Sequence, residues 1–177
     1  EIRKNIETLA EKLGISYDGD KALEETAEKA LNKAFEIIGK TAIAIDYTFT
    51  PRPLGLARLL ISRGFNVKAL YLDSFNGEEK SDFLWLQENA PELEICPTVH
   101  PAMRRIQRGF GEKVLALGQK AAYFMDTRYF VNLVEGGSLY GFDGIRRLAE
   151  LMIDAFKQEK DTEMLIQRKG LGCESCI

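Results

Sequence analysis

The chain has 177 residues, 45% of them hydrophobic and 29% charged, enough for one sizeable core. Lys plus Arg number 24 against 27 Asp plus Glu, a formal charge of -3. That balance lacks the basic excess of phosphate-backbone binders, so nucleic acid is not an expected partner. No apolar run approaches the roughly 20 residues of a bilayer span, and no apolar signal core opens the chain. The expectation is a soluble, cytoplasmic protein with no membrane association.

The three cysteines, Cys96, Cys173 and Cys176, form an odd set that argues against a secreted disulfide scaffold and for a reducing compartment. The chain opens at Glu1 directly in a charged helical pattern that runs through Ala10, as expected of a piece of a longer polypeptide. Asp20 then suits a helix N-cap, followed by Leu23, Ala27, Ala30, Leu31, Ala34, Ile37 and Ile38 at the spacing of an amphipathic helix, with Gly39 to stop it. Thr41 to Asp46 reads as a continuous apolar strand of the kind covered on both faces.

From there strands and helices alternate. Pro51 and Pro53 suit the first turn of a helix that ends at Gly64. Asn66 to Leu72 is a second strand, and a helix from about Glu78 to Asn89 is expected to bury Phe83, Leu84 and Leu86. Leu93 to Cys96 is a third strand, His100-Pro101 opens a helix through about Arg108, and Lys113 to Leu117 is a fourth strand. A short helix over Gln119 to Met125, a fifth strand at Tyr129 to Leu133 and a long helix from Gly141 to near Lys157 complete the pattern. This alternation predicts an α/β fold, a Rossmann-like three-layer sandwich with a mostly parallel, about five-stranded sheet, preceded by N-terminal helices. The expected divisions are an N-terminal helical segment over 1–38, the Rossmann-like domain over 39–159, and a polar tail over 160–177.

Ligands of open parallel sheets bind beyond the carboxyl ends of the strands. The loops to inspect are therefore Tyr47 to Arg52, Asp73 to Gly77, Pro97 to His100, Gly118-Gln119, and Val134 to Gly144. Glu135 to Gly144 carries four glycines in ten positions and leads into a helix, an arrangement that lets backbone approach a ligand and offers N–H donors to an anion. A tight turn with Asp143 as a helix-start residue is the plainer alternative. The first strand is followed by neither a glycine triplet nor a phosphate-binding lysine, which removes the usual apparatus for dinucleotides and nucleoside triphosphates. Arg52 can meet an anion at that mouth or lie solvated beside its prolines.

His100 is the single histidine, so no histidine cluster forms, and no serine sits in a glycine-flanked nucleophile turn. Cys173-Glu174-Ser175-Cys176 is a C-x-x-C with too few partners for a metal site unless a second chain supplies ligands. Two reduced thiols in a polar tail is the alternative. Arg104, Arg105 and Arg108 either dock an acidic partner or form a solvated face.

Several segments in order resemble one family. Gly39 to Ile45, Pro51 to Leu60, Arg63-Gly64-Phe65, and Gly141-Phe142-Asp143-Gly144 running into Arg147 to Met152 are similar to the C-terminal region of nitrogenase component 1 type oxidoreductases. The resemblance covers about residues 1 to 157, including the charged helices before Gly39. The family embraces nitrogenase subunits, cofactor-maturation scaffolds and nitrogenase-like tetrapyrrole reductases. It implies a subunit of three Rossmann-like domains in a homo- or hetero-oligomer, fed electrons by an ATP-dependent iron–sulfur reductase, with an iron–sulfur cluster or related metallocluster in the full-length protein.

On that resemblance this chain is the last domain, with no catalytic residue of its own and no turnover alone. It would line a metallocluster or substrate cavity with Thr48, Thr50, Arg52, Glu135, Gly136, Gly137, Gly141, Asp143 and Gly144. Two departures weigh against a nitrogen-fixing subunit. The stretch Tyr129 to Leu133 lacks the histidine that ligates the family's metal cofactor, and the family's bridging-cluster cysteines lie in other domains, so Cys173 and Cys176 inherit no such role. A nitrogenase-like reductase or maturation scaffold fits better. The rival is a stand-alone flavodoxin-like or corrinoid-binding-type module holding an anion at Gly141 to Gly144; a purely structural dimerisation domain is a third reading.

Overall fold

The computed structural model describes residues 2–17, 19, 21–104, 111–134, 136–137 and 139–161. Five strands, β1 (Ala42–Asp46), β2 (Asn66–Tyr71), β3 (Glu94–Cys96), β4 (Val114–Leu117) and β5 (Phe130–Val131), form one parallel sheet in the order β3-β2-β1-β4-β5. The helices are α1 (Ile2–Leu13), α2 (Lys21–Ile38), α3 (Pro53–Ser62), α4 (Lys80–Asn89), α5 (Gln119–Met125) and α6 (Gly141–Lys157). This is the Rossmann-like α/β architecture expected from the alternation. The chain leaves β1 first toward β2 and β3, then returns to its other side for β4 and β5, so the loops after β1 and β4 part at the centre of the sheet.

The two faces of the sheet differ in side-chain size. Ile43, Ile45, Leu115, Leu117 and Val131 face one layer, where Leu31, Ala34 and Ile38 of α2, Leu54, Ala57 and Leu60 of α3, Leu86 of α4 and Leu148, Ala149 and Met152 of α6 close the main core. The opposite face presents Ala42, Ala44, Ala69 and Ala116, and the short α5 lies on it through Ala121, Ala122 and Met125. The register of β1 on β2 slips between Ile43 and Ala44, leaving Lys68 as the extra residue. That bulge lets Val67 and Leu70 both join the main core while Ala69 and Tyr71 join the other.

Beneath the sheet, at the start of β4, the Lys113 ammonium sits 3.8 Å from the Tyr129 ring centre and 4.0 Å from that of Phe156, and donates to the Phe156 carbonyl at 2.7 Å. A cation there meets both π faces and the negative end of α6.

Several local expectations change. The helix expected from Glu78 starts as a 3-10 turn, Gly77–Glu79, because the Asn76 side chain accepts from the Glu79 N–H. Leu84 is not buried: it is 47% exposed, on the side of α4 away from the core, while Leu86 is buried and Phe83 stacks on Phe75. Leu23 is likewise 46% exposed, and the buried residues of α2 begin at Ala27. Pro51 lies before α3, which begins at Pro53. The strand expected over Tyr129 to Leu133 shrinks to β5, because its one partner, β4, ends at Leu117. After His100 the described residues form a 3-10 turn, Pro101–Arg104; Asp20, Arg105 and Arg108 lie outside the described residues.

Leu31 is almost wholly enclosed between α2 and the core that α6 completes. Leu31→Ala is expected to cost about 3 kcal/mol by transfer and cavity terms, read as a lowered urea midpoint. An unchanged midpoint would show that α2 packs loosely.

Candidate functional site

The crevice at the carboxyl edge of the sheet is organised by Asp46, the last residue of β1, which is fully buried. Its carboxylate accepts from the Thr48 N–H at 2.8 Å, from the Thr48 hydroxyl, and from the Ala121 N–H of α5 at 2.8 Å. A buried carboxylate is tolerated only with such donors. Gly118, with φ 109°, leads into α5 directly against this carboxylate, where a Cβ would collide with it. The loop after β1 and the loop after β4 are thereby tied together over the point where the strand order reverses.

On the β2 side, Glu79 is also fully buried. One of its oxygens accepts from the Leu54 N–H at 2.9 Å and the Gly55 N–H at 3.1 Å, the free donors at the start of α3. The other oxygen has no hydrogen-bond partner among the described residues. Burial pushes this carboxyl above the ordinary range, helped by Asp82, while the two N–H groups and Arg52 pull it down. Next to it, nearly buried Asp82 pairs with Arg58 at 3.0 Å and Arg52 at 3.4 Å. Arg52, expected at a ligand, thus directs its guanidinium to α4. The hydroxyl of Thr48 serves Asp46, and that of Thr50 accepts from the Arg52 N–H at 3.3 Å, so both threonines shape the turn after β1.

The glycine-rich loop does meet the β1 loop: the Gly136 N–H donates to the Phe49 carbonyl at 2.7 Å. Gly136, Gly137 and Gly141 adopt positive φ, as turns require. Gly144, buried in the first turn of α6, lies so close to the Leu139 backbone that a Cβ would stand 2.9 Å from its carbonyl oxygen. Asp143 is exposed and holds Arg146 at 2.8 Å, which also reaches Glu150. Between the β4 and β5 loops, Gln119 donates to buried Asn132 at 2.6 Å, and the Asn132 Nδ2 has no hydrogen-bond partner among the described residues. Glu135, Cys173 and Cys176 lie outside the described residues.

Around this polar centre the loops expose apolar groups: Tyr47 after β1, Phe75 after β2, Val99 after β3, and Val134 and Tyr140 after β5. Lys120 bonds the Tyr47 hydroxyl and lies over its ring. Asp73, beside them, is held below the usual carboxylate range, first by the Thr98 hydroxyl and then by backbone donors and Lys120.

A metallocluster needs converging thiolate, imidazole or carboxylate donors. Among the described residues no three such groups converge. Cys96 is half-buried, and burial together with Glu94 raises its thiol pKa, which favours the neutral form. Among the described residues the crevice offers amides, hydroxyls, the carboxyl groups of Asp46 and Glu79, and apolar surface. Among the described residues no helix is long and apolar enough to cross a membrane.

Fold and site together define a doubly wound parallel α/β domain whose central mouths are satisfied by its own carboxylates. No family model matches the sequence, and no curated protein is significantly similar. A solved structure does match: a chain of "Nitrogenase Cp1 at pH 6.5", with a TM-score of 0.63 and 13% identity. The match covers 92% of this chain but 40% of that one, so this chain spans less than half the neighbour's length. The likeness is one of fold.

The sequence singles out the β1 and glycine-rich loops but not Asp46, Glu79, Asp82 or Asn132. Asp46 carried a signal, an acid closing the run Ala42-Ile43-Ala44-Ile45; the others did not.

Two measurements follow from this geometry. Gly118→Ala is expected to destabilise the chain by roughly 3 kcal/mol or more, through strain and collision with Asp46, whereas Gly77→Ala, in open space, should cost far less. Equal effects would contradict the close approach. Second, the folded chain holds the Glu79 proton more tightly than the unfolded chain, where the carboxyl titrates near 4.5. Its contribution is complete below that value and is lost as pH rises through the folded pKa. Against non-titrating Glu79→Gln, the wild type should lose stability as pH rises above about 4.5 in urea titrations; a gap independent of pH would refute the shift.

Proposed function

We propose that this chain is a domain of a nitrogenase component 1 type oxidoreductase, a nitrogenase-like reductase or cofactor-maturation scaffold, and that its carboxyl-edge loops form one wall of a metallocluster or substrate cavity. The likeness over 92% of the chain to part of a nitrogenase chain carries this reading. The apolar rim of Tyr47, Phe75, Val99, Val134 and Tyr140 supports it, because such a surface suits burial against another protein layer. In this role the domain positions rather than reacts. Its backbone and amide groups orient what the cavity holds, its apolar loops exclude water, and ligands and electrons come from other domains and from an ATP-dependent iron–sulfur reductase. The assembly would be a homo- or hetero-oligomer in the cytoplasm.

The test uses the intact native protein purified anaerobically from its source, with Val134→Asp and Tyr140→Asp introduced together. Both side chains are exposed here, so the melting temperature of this chain alone should stay within about 2 °C of wild type. Association of the complex should weaken by roughly 30-fold, as for loss of interface hot spots, and iron content should fall with it. A native polypeptide no larger than this chain and free of iron would overturn the proposal.

A further inference from the structure

In doubly wound folds the helix after the first strand is where a ligand's phosphate is held, by free N–H groups in its first turn. Here that turn is fully accounted for. Pro53 has no N–H, the Leu54 and Gly55 N–H groups donate to Glu79, and the Leu56 N–H bonds the Arg52 carbonyl at 3.1 Å. Glu79 reaches this turn from the loop before α4, is fixed there by Asn76, and is wholly buried, its second oxygen without a hydrogen-bond partner among the described residues. Gly55 also faces Asp82, whose oxygen would lie 3.3 Å from an added Cβ.

We propose that Glu79 is a built-in anion that fills the phosphate-receptive start of α3, so that this crevice rejects phosphorylated ligands such as nucleotides and flavin mononucleotide. A carboxyl group held on two backbone donors occupies the place of a phosphate and takes up the N–H groups that would bind one. Arg52 and Arg58 do not reverse this, since both are engaged by Asp82. Glu79 is thus a specificity-determining residue: ligands of the crevice are those without a phosphate at the β1 mouth. This inference stands on the geometry of α3 alone and is independent of the nitrogenase reading; it speaks directly against a flavodoxin-like module.

The experiment is a melting series of the 177-residue chain with inorganic phosphate at constant ionic strength, for wild type, Glu79→Gln and Glu79→Ala. General stabilisation by the salt is common to all three and cancels. Glu79→Gln keeps an acceptor on the two N–H groups and should respond as wild type does. Glu79→Ala frees them, and a millimolar site should raise its Tm by about 4 °C more at 10 mM phosphate. A response of Glu79→Ala equal to that of Glu79→Gln overturns the proposal. Should Glu79→Ala not fold, amide spectra of the wild type decide: unchanged Leu54 and Gly55 signals on phosphate addition support the plug, and saturable shifts at both overturn it.

Discussion

A carboxylate with no access to water closes the central strand, and much of the domain's arrangement can be traced from how it is satisfied. Asp46 draws the Thr48 backbone and hydroxyl into a tight turn and takes an N–H from the first turn of α5. A helix of this length has little stability of its own, so its start depends on that bond and its body on the alanine face of the sheet. The requirement for glycine at 118 follows from the same carboxylate. The consequence is a crevice whose centre is set by covalent neighbours and hydrogen bonds before any ligand arrives.

Glu79 repeats the device on the other side of β1. The two acids come from different places, one ending a strand and one preceding a helix, yet each terminates donors that open parallel sheets commonly offer to anions. The cost is visible in the unpartnered Glu79 oxygen and its raised pKa. Asp82 with Arg52 and Arg58 forms the outer part of this arrangement, and Arg58 lies over Trp85 as well. A mouth built so has its α3 and α5 N–H donors taken up by its own side chains before any ligand arrives.

The architecture was legible because strands of a parallel sheet, covered on both faces, leave continuous apolar runs: Thr41 to Ile45, Asn66 to Leu72 and Val114 to Leu117 stand out between glycines and charged helices. The turn around Gly136 to Gly144 was legible from its glycines, and the structure brings it to the Phe49 carbonyl. Glu79 and Asp82 were not. They sit in Gly77-Glu78-Glu79-Lys80-Ser81-Asp82, which reads as a solvated helix start, and nothing local tells which acid turns inward to meet a helix some twenty-five residues earlier. The pairing of Arg52 with Asp82 was hidden for the same reason, since the two are distant in the chain. Leu84 was misplaced because α4 meets the core mainly through Leu86, too narrow a contact for periodicity to resolve.

The polar interior and the apolar rim point to one kind of occupant. With Asp46, Glu79 and Asp82 already paired, the crevice has few charged groups left with which to grip a small ionic ligand. The loops around it nevertheless hold Val99 and Tyr140 about four-fifths exposed, with Tyr47, Phe75 and Val134 beside them. Apolar surface gathered on one edge is stabilised by burial roughly in proportion to its area. A single small molecule at the centre would leave most of that rim wet, whereas a second protein layer would cover it and leave the crevice as an enclosed chamber between the two.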